Sequence, residues 1–213
     1  PLPMRFLVQD RALLAVAGTL FFFHLGNAAM LPLLGQAAVA RFQVDPAVYT
    51  ASTVFIAQVT MIATSLWGAK IAVNRGYGVL FILALAALPL RGLVACFFNN
   101  SLSLIPVQIL DGVGAGLMGV ATPGLVARLL KGSGHINMGI GLVMTIQGVG
   151  AALSSSYGGL FARYVNYEAA FLALAIVPGL GLLLFASATR RLPALTEAAS
   201  GFRVLRPPRG MSK

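Results

Sequence analysis

The sequence has very few charged residues, and acidic residues are the rarest of them. Charged side chains make up 9% of its 213 residues, and only five are Asp or Glu, whereas about 25% of a soluble domain is charged. Hydrophobic residues make up 58%, which leaves too little polar surface to cover a soluble core. The composition therefore indicates an integral membrane protein.

The residues that build metal and nucleophilic sites are also scarce. Cys96 is the only cysteine, so no internal disulfide can form, and His24 and His135 are the only histidines, which excludes a His/Cys metal cluster. Ser133 lies two residues before His135, but this basic loop is typical of a flexible turn. The sequence also has no G-x-x-x-x-G-K-[ST] phosphate loop. We therefore expect neither an enzyme nor a bound cofactor.

Six long apolar segments are present instead. Each has about twenty or more residues, enough for a helix rising about 1.5 Å per residue to cross a hydrocarbon core about 30 Å thick. Their unbroken length favours helices over the alternating strands of a barrel. The sixth is almost wholly apolar and is predicted to face lipid at the periphery. The predicted segments are residues 12–34, 50–71, 79–98, 102–127, 138–161 and 169–188.

Basic residues are distributed unevenly between the two sides of the membrane. With six spans both termini lie on one side, and that side receives twelve Lys and Arg residues, whereas the other receives only Arg41 and Arg163. This bias predicts cytoplasmic termini for a multi-pass protein of the cell (inner) membrane. The net charge of +10 indicates contact with anionic lipid rather than with nucleic acid.

The six spans divide the chain into three predicted parts. Residues 1–11 form a cytoplasmic linker, residues 12–188 the six-helix transmembrane domain, and residues 189–213 a cytoplasmic tail. The tail is polar and rich in Pro and Arg, a composition typical of disordered segments. The chain begins with Pro1 rather than Met, and no signal peptide precedes the first span. We expect this start to be a cut within a longer chain.

The fourth segment contains Asp111, the only carboxylate within a span. An Asp near the centre of a membrane helix costs roughly 2.5–3.5 kcal/mol, so it is expected to face a protein interior or a water-filled cavity. Gln108 lies one turn earlier on the same polar stripe. Gly112, Gly116 and Gly119 share a different face, which is predicted to pack against a neighbouring helix. Two roles remain open for Asp111: proton or substrate binding, and the ordering of helix packing.

The third segment contains Arg91, at a depth similar to that of Asp111. Counting inward along each helix places Arg91 about 10 Å and Asp111 about 13 Å from the same membrane surface. The two side chains could therefore form an ion pair that offsets part of their desolvation cost. The alternative is that Arg91 extends toward the outer surface.

Four further polar residues lie within the predicted spans. His24 could carry a proton, or it could be a neutral side chain bonded to Asn27. Gln58 either faces a cavity or bonds to another helix. Gln147 lies in a Gly-rich segment that is either a polar cavity wall or, as we favour, a tight helix interface. Pro32 is predicted to kink the first span.

Several stretches resemble one known family. They are Q-x-x-D-G-x-G-A-G at residues 108–116, K-G-S-G-H-x-N at 131–137, T-x-Q-G-x-G-A-A-L-S at 145–154 and H-L-x-N-A-A-M-L-P-L at 24–33. Together these are similar to the carboxy-terminal half of bacterial major facilitator superfamily permeases, and the similarity covers residues 11–188. The loop at residues 68–78 is similar to the superfamily's basic loop but lacks its acidic residue. The fifth span lacks the Gly-Pro of the antiporter motif.

The resemblance implies an all-α fold of six transmembrane helices, a 3+3 inverted repeat that forms one half of a twelve-span carrier. The substrate site of such a carrier lies between the halves near mid-membrane, and the halves rock to give alternating access. The first and fourth spans line that site, which would bring together His24, Asn27, Gln108 and Asp111.

The function implied by the resemblance is secondary active transport of a small molecule, with proton-coupled efflux as the expected form. Protonation of Asp111 would be the coupling step. The expected partners are the substrate, protons, the lipid bilayer and the amino-terminal half of the same carrier, or a partner chain in its place. A single carboxylate slightly favours a cationic or neutral substrate. The alternatives are a non-transporting six-helix membrane subunit and an inactive truncated permease.

Overall fold

The computed structural model describes residues 4–97 and 100–201, and every regular element in these ranges is helical. Six helical spans are long and apolar enough to cross a membrane, as predicted, and the first of them consists of two helices. Short 3₁₀ turns precede the first and fifth helices. The helices are α1 (Arg11–Asn27), α2 (Met30–Phe42), α3 (Pro46–Arg75), α4 (Tyr77–Phe97), α5 (Leu104–Leu129), α6 (Ile136–Tyr164), α7 (Tyr167–Arg191) and α8 (Pro193–Ala199).

The acidic residues near the membrane surfaces have structural roles. Asp10 caps α1 by accepting hydrogen bonds from the backbone N–H groups of Ala12 and Leu13, and Asp45 caps α3 in the same way. Such caps satisfy donors that the first turn of a helix leaves unpaired. Glu168 pairs with Arg41 at 2.6 Å and joins α2 to α7.

The first span is broken between α1 and α2. Pro32 has no N–H to donate to the carbonyl of Ala28, and its ring crowds that carbonyl, so the α-helix is interrupted at Ala28 and Ala29. The N–H of Ala29 donates instead to the hydroxyl of Ser154 on α6, at 2.9 Å. The break therefore lies where the sequence predicts a kink, and a neighbouring helix satisfies the displaced donor.

The helix packing has an internal two-fold pattern. α1 packs mainly against α6 and α7, α5 packs mainly against α3 and α4, and α4 and α7 pack against each other. Exchanging the first span with the fourth, the second with the fifth and the third with the sixth maps the contacts of α1 onto those of α5, and the contact between α4 and α7 onto itself. Three spans per repeat is an odd number, so the two repeats cross the membrane in opposite directions. The structure thus has the predicted 3+3 inverted repeat.

The sixth span is not peripheral, contrary to the prediction. In the apolar stretch of α7 that could span the membrane, 50% of the residues are buried. The corresponding fractions are 11% for α3 and 17% for α6. Leu174 and Phe185 of α7 belong to the core, and the ring of Phe185 stacks on Phe81 of α4 with centroids 4.8 Å apart. An apolar helix suits lipid and a protein core equally well, so composition alone could not place it.

The first part of the predicted disordered tail is ordered. α7 continues to Arg191 and α8 follows, with Leu195 fully buried against the bundle. Arg128, in the last turn of α5, donates to the carbonyl oxygens of Ala198 and Ser200. A cation at this position complements the negative end of α8. The remainder of the predicted tail, residues 202–213, lies outside the described residues.

Candidate functional site

A charged and polar cluster lies where α1, α4 and α5 meet. Its centre is Arg91 of α4, which is fully buried. Arg91 Nη1 lies 3.0 Å from Oδ1 of Asp111 on α5 and donates a 2.5 Å hydrogen bond to Oδ1 of Asn27 on α1. Arg91 Nη2 lies 3.5 Å from Oε1 of Gln108, one turn before Asp111. The guanidinium therefore joins three spans.

The orientation of Asp111 is fixed by the packing of α5 on α3. A Cβ atom at Gly112 would lie 2.5 Å from the carbonyl oxygen of Ala57, and a Cβ at Gly116 would meet the hydroxyl of Thr64. Thr64 also donates to the carbonyl of Gly112 at 3.0 Å. Because these glycines press α5 directly onto the α3 backbone, α5 cannot rotate about its axis, and Asp111 is held toward Arg91.

Gly119 does not belong to this packing face, contrary to the prediction. A Cβ built at Gly119 meets no atom within 4 Å, and the residue is exposed. The reason is geometric. Gly119 is seven residues after Gly112, which is slightly less than two full turns at 3.6 residues per turn, and at this level α3 meets Leu117 instead, since a Cβ at Gly68 would lie 3.0 Å from Cδ2 of Leu117.

The cluster has more hydrogen-bond donors than acceptors. Arg91 Nε and Gln108 Nε2 are buried and have no hydrogen-bond partner in the described part of the chain. Asp111 Oδ1 is within ion-pair distance of Arg91 but makes no aligned hydrogen bond. Arg91 contributes five N–H donors and Gln108 and Asn27 two each, against about four acceptor positions on Asp111 and two on each amide oxygen.

The cluster is closed on one side and open on the other. The side chains of Arg91 and Gln108 are completely buried, whereas the Asp111 side chain is 17% exposed and Asn27 is partly exposed. Asp111 and Asn27 both contact Arg91 Nη1, so any solute that reaches the guanidinium passes these two side chains. Asp111 is therefore the charged side chain of the cluster that reaches the surface of the bundle.

Three of the predicted site residues lie outside the cluster. His24 is one turn before Asn27, and its ring packs edge-on to Phe23 at 5.2 Å. Among the described residues His24 makes no hydrogen bond to Asn27, whose Oδ1 accepts from Arg91 instead. Gln58 is exposed on α3 and Gln147 is partly exposed on α6, and neither bonds to the cluster.

A separate groove of about 690 Å³ lies between α2 and the N-terminal turns of α3. No member of the charged cluster lines it. Its walls include Leu31, Val39 and Thr53, with Gln36 and Tyr167 supplying polar atoms. The groove is mostly apolar and holds no ionisable side chain apart from the Tyr167 phenol. The cluster, rather than the groove, is therefore the candidate site for charge chemistry.

Sequence reasoning identified all four members of the cluster and missed the residue that supports them from α6. Ser154 is completely buried and bonds the N–H of Ala29, two residues after Asn27. The sequence signal for Ser154 is a hydroxyl group within the apolar fifth span, at the same depth as the part of the first span that contains Pro32. Only the structure pairs the two.

Comparison with known proteins gives consistent matches over most of the chain. A family model described as Major Facilitator Superfamily matches residues 6–210. Two curated relatives, from two strains of Mycobacterium tuberculosis, are each named as an uncharacterized MFS-type transporter. Each is 35% identical over 187 residues, which is 87% of this chain and 45% of the relative. The chain thus spans about half the length of the curated relatives it matches.

Proposed function

Because the chain belongs to the Major Facilitator Superfamily, we propose that it is the carboxy-terminal half of a carrier that moves a small molecule across the membrane and couples this movement to protons. The amino-terminal half of the same carrier, or a partner chain in its place, would complete the transport path. The proposed location is the inner membrane with both termini in the cytoplasm, supported by the excess of Lys and Arg on that side.

The observation that carries the proposal is the Arg91–Asp111 ion pair. It lies in the middle of the spans, at the junction of α1 and α5, the two helices that the internal two-fold pattern relates. A buried ion pair contributes little net stability compared with apolar side chains of similar size. Its presence in a chain with five acidic residues is better explained by a change in its charge during a transport cycle.

Protonation of Asp111 is the proposed coupling step. The neutral carboxyl no longer attracts Arg91, so the link between α4 and α5 weakens while the Asn27 link between α4 and α1 remains. This change in the relative strength of the two links can favour one packing of the helices over another. The expected direction is efflux of the substrate. His24, Gln58 and Gln147 are proposed as further polar positions on the substrate or proton path.

The proposal is tested by measuring pH-driven transport with the complete carrier in proteoliposomes that contain a pH-sensitive dye. Asp111→Asn should abolish proton movement coupled to substrate, because an amide cannot be protonated at physiological pH. The matched control is Asp45→Asn, which changes an exposed helix cap to another good capping residue and should transport normally. Unchanged pH dependence in Asp111→Asn, with equal amounts of protein in the membrane, would exclude this role for Asp111.

A further inference from the structure

Arg91 and Asp111 are the charged side chains in the middle of the described spans. The other charged residues of the six spans lie near helix ends, among them Arg41, Lys70 and Arg163. As an ion pair, Arg91 and Asp111 give the mid-membrane region of this half a net charge of zero. The charge of a substrate therefore decides whether this region stays neutral when the substrate binds.

A cationic substrate leaves an unfavourable state. It would take Asp111 as its partner and leave Arg91 charged, fully buried and without a carboxylate. Breaking a buried pair in this way is strongly destabilising, because it leaves an uncompensated buried charge. An anion that enters together with a proton has the opposite effect. The proton neutralises Asp111, the anion pairs with Arg91, and the region keeps its net charge of zero.

The hydrogen-bond inventory also favours an anion. Three buried atoms of the cluster lack a hydrogen-bond partner among the described residues: two are N–H donors, Arg91 Nε and Gln108 Nε2, and the third is Oδ1 of Asp111, which is within ion-pair distance of Arg91. A carboxylate offers about four acceptor positions and binds a guanidinium through two parallel hydrogen bonds. An ammonium group offers donors only and would leave both nitrogens unsatisfied.

We propose, on the basis of the proposed function, that the substrate is an organic anion whose carboxylate replaces Asp111 on Arg91 when Asp111 is protonated. Arg91 is then the residue that selects the substrate charge, and the route to it runs past Asn27 and Asp111, the partly exposed side chains that contact Nη1. Proton and anion cross together, so an acid formed in the cytoplasm leaves with its proton. This reverses the slight preference for a cationic or neutral substrate that one carboxylate suggests in the sequence.

The titratable groups near Asp111 are few. α4 contributes Arg91, and α1 contributes His24, one turn from Asn27. α3, which packs on the other side of α5, has its ionisable side chains Lys70 and Arg75 near the inner end of the helix and Tyr49 near the outer end. A pH-dependent anion site could therefore titrate through Asp111 or through His24, and the experiment must separate them.

The test is binding of nitrate, a planar anion whose charge does not change with pH, to the complete purified carrier. Binding is followed as a nitrate-dependent rise in melting temperature. For the native protein, the apparent affinity should fall about tenfold for each pH unit above the titration of Asp111, because only the protonated fraction can bind. Asp111→Asn should bind nitrate with no pH dependence. The double variant Arg91→Leu/Asp111→Asn keeps the neutral residue at 111 but should lose the response.

Several results would overturn the assignment. Stabilisation of the native protein by tetramethylammonium, relative to the double variant, would mean that the site takes cations. A pH-independent nitrate response in the native protein would mean that protonation and anion binding are not linked. If the nitrate response loses its pH dependence in His24→Asn and keeps it in Asp111→Asn, the titrating group is His24 and not Asp111. Because binding is measured without transport, failure here leaves the dye assay of Asp111→Asn as a separate test of proton coupling.

Discussion

Replacing Arg91 with Leu is expected to remove most of the correctly folded protein from the membrane. The substitution leaves Asp111 charged beside an apolar side chain, and loss of one partner of a buried ion pair costs about 3–5 kcal/mol. It also removes the donor to Asn27 and the partner of Gln108, so α4 loses its polar links to α1 and α5. The measurement is the monodisperse fraction of a fluorescently tagged protein on size-exclusion chromatography.

Adding Asp111→Asn to Arg91→Leu should restore most of the folded yield. The second change removes the uncompensated charge, and the two effects are therefore strongly non-additive, as expected for residues in contact. Arg163→Leu is the matched control, because Arg163 is exposed in the last turn of α6 and its removal should leave the yield close to that of the native chain. A double variant no better folded than Arg91→Leu would show that the cost does not come from the broken pair.

Gly116→Val is the second substitution with a large expected effect. The new side chain would meet the Thr64 hydroxyl and the carbonyl oxygen of Met61, which lies 2.7 Å from the position of the added Cβ. Backbone cannot move aside as a side chain can, so α3 and α5 must separate. Overpacking costs about 1–3 kcal/mol in well-packed cores, and displacement of α5 also moves Asp111. We expect a lower melting temperature and loss of pH-driven transport.

Gly119→Val provides the control on the same helix. Its Cβ would meet nothing within 4 Å, and Val disfavours the helix less than Gly does, so the melting temperature should stay the same or rise. Equal destabilisation by the two substitutions would mean that contact with α3 does not cause the effect of Gly116→Val.

The number and extent of the spans could be predicted from the sequence because they depend on local properties. Hydropathy and segment length identify a span without reference to its neighbours. The break in the first span is equally local, since it follows from the missing N–H of Pro32. The position of α7 is not local. It depends on which apolar face meets α1 and α4, and hydrophobic composition does not distinguish those helices from lipid.

The cluster could be predicted in part for the same reason. Counting residues from the helix ends gave Arg91 and Asp111 similar depths, but depth does not fix the rotation of a helix about its axis. The rotation of α5 depends on Gly112 and Gly116 packing against Thr64 and its neighbours on α3. Before that contact was known, an ion pair and an Arg91 that extends to the surface were equally compatible with the sequence.

The glycines of α6 illustrate the same limit. Gly150 packs against the backbone carbonyl of Phe21 on α1, as the favoured tight interface requires, whereas Gly148 has no atom within 4 Å of an added Cβ. Residues two positions apart on a helix are rotated by about 200° from each other, so Gly148 and Gly150 lie on nearly opposite faces of α6. A Gly-rich segment predicts close packing somewhere, and the structure decides which glycine makes it.

The most direct test of the central claim is infrared difference spectroscopy of the complete carrier between mildly alkaline and mildly acidic pH. We predict a reversible band from a protonated carboxyl group that is absent in Asp111→Asn and unchanged in Asp45→Asn. If no band depends on Asp111 over the pH range in which transport responds to protons, Asp111 does not carry the coupled proton.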